Sequence, residues 1–91
     1  MPKPIGADRA RLNRTLAQAL GTVITQLRVE RQWSQEELAH RIGYDQGYIR
    51  RLERGTANPS LQLLYNVADV LSVRLSGLIE RAEASANNSA T

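Results

Sequence analysis

Start and stop signals for helices in the middle of the chain are the feature that most restricts how it can fold. Ser34, Asp45 and Ser60 stand where a side-chain oxygen can cap the free N–H groups of a helix start. Gly43 and Gly55 each follow a short amphipathic segment and supply the backbone freedom that ends a helix. This order of signals predicts two short helices joined by a tight turn, with another helix after a loop.

The flanking segments have the periodicity of amphipathic helices. Helix one is predicted over about 11–32, where an apolar face is formed by Leu16, Leu20, Val23, Ile24 and Leu27. Helix four begins after Ser60 and carries an apolar stripe of Leu61, Leu64, Val67, Ala68 and Leu71. A last helix is predicted from Ser76 to about Glu83. We therefore expect an all-α fold, a compact five-helix bundle that contains a helix-turn-helix.

The two ends of the chain lack this periodicity. Residues 1–10 are predicted to be a flexible N-terminal arm, and the small, polar residues 84–91 a disordered tail. The helix-turn-helix domain then occupies residues 11–83. A chain of 91 residues is enough for one domain and not two.

Composition excludes several kinds of function. The chain has no Cys and one His, so disulfides are excluded and we expect no metal or cofactor. A lone His also leaves no nucleophile–base pair, so no catalytic residues and no enzyme activity are expected. No apolar run approaches the roughly 20 residues of a membrane span, and the N-terminus lacks a signal-peptide core. The expected location is cytoplasmic, without membrane contact.

The charge of the chain is distributed unevenly. The net charge is +3, but residues 32–55 hold four basic and four acidic residues. Residues 1–31 hold six basic and two acidic residues. Attraction to a nucleic acid must therefore come from helix one and the arm, and from the sorting of charges onto one face of the helix-turn-helix.

Helix three has one polar face that is rich in arginine. On a helical wheel Ile49 and Leu52 face inward, with Tyr48 at their edge. The opposite side carries Gln46, Gly47, Arg50, Arg51 and Arg54. In a major groove, Gln can pair bidentately with adenine and Arg with guanine. An isolated arginine face is usually only solvated, but within a capped helix-turn-helix it favours double-stranded DNA as the partner.

Residues 16 to about 80 resemble the lambda-repressor/Cro type of helix-turn-helix domain, the Xre family of bacterial and phage regulators. The resemblance is carried by SQEELA at 34–39, IG at 42–43, YI at 48–49, LERG at 52–55 and NPS at 58–60. The stretch DxxYIxxLERG from Asp45 is also similar to the restriction–modification controller proteins, which are small stand-alone dimers. The resemblance implies five helices, with helices two and three as the DNA-reading unit.

The resemblance also implies roles at the start of helices two and three. Gln35 would hold a phosphate and brace Gln46. Gln46 and Arg51 would read bases, and Arg50 would contact bases or the neighbouring backbone. Gly47 occupies a position that often bears a base-reading side chain, so one direct contact is absent from this chain.

Further roles concern the edges of helix three. Tyr48 would either touch the sugar-phosphate backbone or support the helix. Arg54 and Asn58 would bind phosphate. Arg28 and Glu53 match positions where the family places a buried ion pair between helices one and three. Because an unpaired carboxylate near the inward face would be costly, we expect Arg28 to satisfy Glu53 and to set the angle of helix three.

The C-terminal part of the domain is more apolar than a monomer of this size needs. The residues concerned are Leu71, Val73, Leu75, Leu78 and Ile79. They could complete the core or form a two-fold interface. Related domains commonly dimerise through helix five, and a dimer would set two copies of helix three about 34 Å apart, one turn of DNA. We therefore expect a homodimer.

These observations lead to one expected function and one alternative. The expected function is a sequence-specific DNA-binding transcriptional regulator, a homodimer on a short inverted repeat that blocks or recruits RNA polymerase by occupying a promoter. The alternative is a protein-interaction module, such as the antitoxin of a toxin–antitoxin pair. The two differ in whether the exposed face of helix three binds DNA.

Overall fold

The computed structural model describes the backbone of residues 5–90 and the side chains of residues 9–87. Its helices are α1 (Ile5–Glu30), α2 (Gln35–Ile42), α3 (Gln46–Arg54), α4 (Leu61–Val70) and α5 (Leu75–Ala90). Within this part of the chain there is no strand, so the all-α, five-helix prediction is confirmed. None of these helices is long and apolar enough to span a membrane.

Local capping sets where the short helices begin and end. The side chains of Ser34, Asp45 and Ser60 each accept a hydrogen bond from the backbone N–H three residues on, at 3.0, 2.8 and 3.1 Å. Gly43 and Gly55 end α2 and α3 in the left-handed region, with φ of 76° and 79°. All five positions therefore act as the sequence predicts, and the turn between α2 and α3 has a defined geometry.

One apolar core joins all five helices. Each helix contributes at least one large side chain that is at most 1% exposed, namely Ile24, Leu38, Ile49, Leu63 and Leu78. Helix α1 contacts both α3 and α5. Burying a side chain of this size contributes about 1.5–3 kcal/mol, so these contacts dominate the stability of the fold.

The structure corrects the predicted dimer interface. Leu71 and Leu78 are both 0% exposed and belong to the core of a single chain. The reason is that α5 folds back along α1, which brings Leu78 against the other helices. Val73, Leu75 and Ile79 are only partly buried.

Two residues predicted to face inward are instead exposed. Leu61 is 72% exposed because the buried stripe of α4 is centred on Leu63 and Val67, which leaves the first residue of the helix at its edge. Leu16 is 40% exposed, since the buried part of α1 begins only at Ala19.

The terminal helices are longer than predicted. Helix α1 begins at Ile5, inside the predicted arm, and α5 continues to Ala90 through the predicted tail. Ala82 is 0% exposed, so the end of the predicted helix is anchored in the core, and the alanines after it favour continuation of the helix. The remaining parts of the predicted arm and tail, residues 1–4 and 91, lie outside the described residues.

Candidate nucleic-acid interface

Two glycines allow α3 to lie directly against α1. A Cβ atom added at Gly21 would lie 2.7 Å from the carbonyl oxygen of Leu52, which is closer than real side chains approach. A Cβ atom at Gly55 would lie 2.7 Å from the Cα atom of Gln18. The helices therefore touch through their backbones at both points. This contact fixes the distance of α3 from the body of the domain.

A buried ion pair fixes the angle between the same two helices. The guanidinium of Arg28 donates two hydrogen bonds to the carboxylate of Glu53, from Nε to Oε2 at 2.7 Å and from Nη2 to Oε1 at 3.0 Å. The two side chains are only 13% and 5% exposed. The structure thus brings together the pair expected from the sequence, in the bidentate geometry that gives the strongest charge-assisted bonds.

The same ion pair also holds α2 and the turn before it, through one hydrogen bond from each partner. Gln35 donates from Nε2 to Oε1 of Glu53 at 2.9 Å, and Arg28 donates from Nη1 to the carbonyl oxygen of Trp33 at 2.7 Å. The resemblance implies that Gln35 braces Gln46; in the structure the Nε2 group of Gln35 donates to Glu53, and no hydrogen bond joins Gln35 to Gln46 among the described side chains. Its contact with a phosphate stays a prediction. The spacing alone could not reveal this partner, because it depends on how α3 is rotated against α2.

The environment of Glu53 keeps its carboxylate charged at neutral pH. Burial by itself raises the pKa of Glu53, because a charged group is poorly solvated in the interior. Hydrogen bonds from Arg28 and Gln35, together with the charge of Arg28, outweigh burial and bring the pKa below its usual 4.5. The three side chains therefore form one ionised network that connects α1, α2 and α3.

The outer side of α3 is open to solvent. Gln46, Arg50, Arg51 and Arg54 are all exposed, as is Asn58 in the loop that follows. On the opposite side, the inward residues Ile49 and Leu52 are 0% and 2% exposed. This arrangement matches the predicted sorting of the helix faces. The contacts of these side chains with DNA stay a prediction.

Gly47 has a local structural role beside the one inferred from the sequence. A Cβ atom at this position would lie 3.1 Å from Oδ1 of Asp45, the atom that caps α3. A larger residue would therefore crowd the cap. Because Gly47 has no side chain, nothing at this position projects from the first turn of α3 or covers its N-terminus.

Tyr44 is a feature of this surface that the sequence reasoning missed. It lies in the turn between α2 and α3, is 43% exposed, and its ring centroid is 5.1 Å from that of Tyr48. The guanidinium carbon of Arg51 lies 5.3 Å from the centroid of the Tyr48 ring. Burial, with a smaller contribution from Tyr44, raises the pKa of Tyr48, while Arg51 lowers it. The spacing of two tyrosines four residues apart was the available signal.

The polar groups on the outer side of α3 are mainly hydrogen-bond donors. No group of three or more His, Cys, Asp or Glu side chains that could hold a metal ion occurs in the described part of the chain. What the surface offers instead is amide and guanidinium donors on a rigidly held helix, the groups that read base edges and phosphates.

Comparison with known proteins points to the same region. A family model described as a helix-turn-helix matches residues 24–78. An uncharacterized HTH-type transcriptional regulator of Sinorhizobium fredii is 41% identical over 54 residues, which cover 59% of this chain and 70% of that protein. Residues 24–78, which the family model matches, contain α2, α3 and the network around Glu53.

Solved structures share the fold beyond this segment. The clp gene regulator ClgR of Corynebacterium glutamicum has a TM-score of 0.79 at 27% identity, covering 98% of this chain and 84% of that one. The restriction–modification controller protein C.Esp1396I, solved as a tetramer with its natural 35 base-pair operator, has a TM-score of 0.69 at 27% identity. That match covers 78% of this chain and 93% of the controller protein.

Proposed function

The chain belongs to the Xre-type helix-turn-helix family of DNA-binding transcriptional regulators, and from this premise we propose that its homodimer binds a short inverted repeat through α3. The observation that carries the proposal is the contrast between the sides of α3. Its inward side is held by apolar contacts and the Arg28–Glu53 pair, while its arginines project into solvent. A helix mounted in this way can enter a major groove without loss of internal contacts.

Each exposed side chain has a role that follows from its chemistry. Gln46 and Arg51 can pair bidentately with adenine and guanine, and each good pair contributes about 1–3 kcal/mol of discrimination. Arg50 contacts a base or the neighbouring backbone. Arg54 and Asn58, at and after the end of α3, bind phosphates and orient the helix.

We place the two-fold contact of the dimer on α5 and the connection before it. Leu71 and Leu78 are removed from the expected interface because they are fully buried, which leaves Val73, Leu75 and Ile79. Val73 and Leu75 line an open cleft with Tyr65, whose side chain is 57% exposed. Such a contact would present two copies of α3 about 34 Å apart, as an inverted repeat requires. Light scattering that shows a monomer at high micromolar concentration would contradict this part.

The regulatory mechanism that we propose is occupancy. A dimer on a promoter blocks RNA polymerase or, when bound beside the promoter, recruits it. Binding alone is sufficient for both outcomes, so the proposal includes no catalytic step. A restriction–modification controller protein with a similar fold has been solved on its operator as a tetramer, which supports operator binding by assembled copies.

Selection of bound duplexes from a random-sequence library tests the proposal directly. We expect the wild-type protein to enrich an inverted repeat, and Arg51→Ala to bind the enriched duplex about 10- to 100-fold more weakly. Arg81→Ala removes the same charge from the exposed surface of α5 and serves as the matched control, with affinity close to wild type. Failure to enrich any sequence would instead favour a protein-interaction module.

A further inference from the structure

Three side chains, those of Tyr44, Tyr48 and Arg51, contact one another in a row along the outer edge of the helix-turn-helix, and we call this row the stack. The ring of Tyr44 lies against Tyr48 with an interplanar angle of 44°, and Tyr48 lies beneath the guanidinium of Arg51. The stack begins in the turn before α3 and ends one helical turn into the base-reading face. It thus connects a residue outside α3 to an arginine that we propose reads a base.

We propose that Tyr44 and Tyr48 hold the guanidinium of Arg51 in position before DNA binds, which makes Tyr44 a positioning residue for base reading. The inference rests on the proposed function of α3, because only then does the position of Arg51 affect DNA binding. Arg50, its exposed neighbour, has no ring contact among the described residues and serves as an internal comparison.

The backbone N–H group of each tyrosine is fixed by a hydrogen bond. The N–H of Tyr44 donates to the carbonyl oxygen of Ala39 at 2.9 Å, which ties Tyr44 to the end of α2. The N–H of Tyr48 donates to the capping carboxylate of Asp45 at 2.8 Å, and its ring packs against the core. The backbone that carries each ring is therefore fixed, and the Tyr48 ring, which contacts Arg51, is also held by the core.

Holding an arginine in place affects binding through conformational entropy. A free arginine side chain samples many rotamers, and that freedom is lost when the guanidinium pairs with a base. A ring beneath the guanidinium attracts it and narrows this range beforehand. For an exposed stack of this kind, we expect the support to strengthen binding about two- to fivefold.

The first test needs no DNA. Nuclear spin relaxation of the arginine Nε–H groups reports side-chain motion on the picosecond–nanosecond timescale. We expect Arg51 to be more ordered than Arg50 in the wild-type protein, and Tyr44→Leu to loosen Arg51 while leaving Arg50 unchanged. Tyr44→Phe retains the ring and should leave Arg51 ordered. Equal mobility of the two arginines in the wild-type protein would overturn the proposal.

The second test uses the duplex enriched by the wild-type protein. Tyr44→Leu should weaken its binding two- to fivefold, while Tyr44→Phe binds like wild type. The loss should vanish in an Arg51→Ala background and persist in full in an Arg50→Ala background. This pattern separates positioning of Arg51 from a general structural effect, which would appear in both backgrounds.

Two results would overturn the inference at this stage. If Tyr44→Phe loses as much affinity as Tyr44→Leu, the hydroxyl contacts a phosphate and the ring is not a support. If the loss is the same in both arginine backgrounds, Tyr44 does not act through Arg51. If no duplex is enriched at all, the proposed function fails, and the relaxation measurement still decides whether the stack holds Arg51.

Discussion

The inward and outward sides of α3 differ in how many contacts their side chains make with the rest of the molecule. The inward side presents Ile49 and Leu52 to the core and Glu53 to three hydrogen bonds from α1 and α2. The outward side presents exposed polar residues whose main intramolecular contact is the stack of Arg51 on Tyr48. The first side controls where the helix lies, and the second controls what it can bind.

The contacts on the inward side of α3 explain how a domain with few aromatic core residues can hold this helix in a fixed position. The chain has no Phe, one Trp and three Tyr, so few bulky rings are available to fill the core by shape complementarity. Backbone contact at Gly21 and Gly55 and a bidentate ion pair hold the helix in position instead. Substitutions on the inward side should therefore change stability, and substitutions on the outward side should change binding.

Removing the charge of Glu53 should give the largest effect. Glu53→Gln leaves the guanidinium of Arg28 buried without a charged partner, and we expect the free energy of unfolding to fall by about 3 kcal/mol. The matched control is Glu37→Gln, which breaks an exposed pair with Arg41 and should change stability by less than about 0.5 kcal/mol. Urea denaturation at neutral pH measures both. Similar losses in the two variants would show that the inward pair does not set the position of α3.

The pH dependence of the unfolding free energy provides a second test of the Glu53 ion pair. The pKa of Glu53 is below its usual 4.5 in the folded protein, so its ionised network stabilises the fold fully above that pH. As the pH falls below about 4.5 toward the lower pKa of the folded state, this contribution is progressively lost. The difference in unfolding free energy between wild type and Glu53→Gln should therefore narrow in acid and stay constant above this range. A constant difference at all pH values would mean that the carboxylate does not titrate as a paired group.

Gly21→Ala should have the next largest effect. In a helix this substitution normally stabilises by up to about 1 kcal/mol, but here the added methyl group meets the backbone of α3. We expect a net loss of about 1–3 kcal/mol and a lower melting temperature, because backbone atoms cannot move aside as a flexible side chain can. Gly77→Ala in α5 meets nothing within 4 Å and should be neutral or stabilising. A stabilised Gly21→Ala variant would show that the helices are not in backbone contact.

Removal of a helix cap should have a smaller effect on stability, and it should affect DNA binding only at α3. Asp45→Ala removes the cap of α3 and Ser60→Ala removes that of α4, and each should cost about 1 kcal/mol of stability. Only Asp45→Ala should also weaken binding to a selected duplex, because it loosens the first turn of the reading helix. Thermal unfolding and a gel shift on both variants measure this. An equal loss of affinity in the two variants would mean that α3 has no special part in binding.

The positions that the sequence could predict are those governed by local rules. The three caps and the glycines at 43 and 55 depend only on neighbours within a few residues, so their roles were readable from spacing. The inward and outward residues of α3 were readable from a period of 3.6 residues. The Arg28–Glu53 pair spans 25 residues and was expected mainly from the resemblance to known regulators.

The positions that escaped prediction depend on how helices pack. Leu71 and Leu78 read as surplus apolar residues until the return of α5 along α1 places them in the core. The hydrogen bond from Gln35 to Glu53 joins the start of α2 to the end of α3, a packing arrangement that no periodicity encodes. Tyr44 lies in a turn, so no helical period places it beside α3, although its ring contacts Tyr48 of that helix.

The variant with the smallest expected effect on stability should have a large effect on DNA affinity. Arg50→Ala/Arg51→Ala removes two exposed side chains whose loss leaves the core and the Glu53 network intact, so the free energy of unfolding should change by less than about 0.5 kcal/mol. Affinity for the selected duplex should fall at least tenfold, since at least one base pair loses its reader. Denaturation and gel-shift titration on the same preparation compare the two quantities. If the double variant were instead strongly destabilised, the outward side would contribute to holding the helix, and the division between the two sides of α3 would not hold.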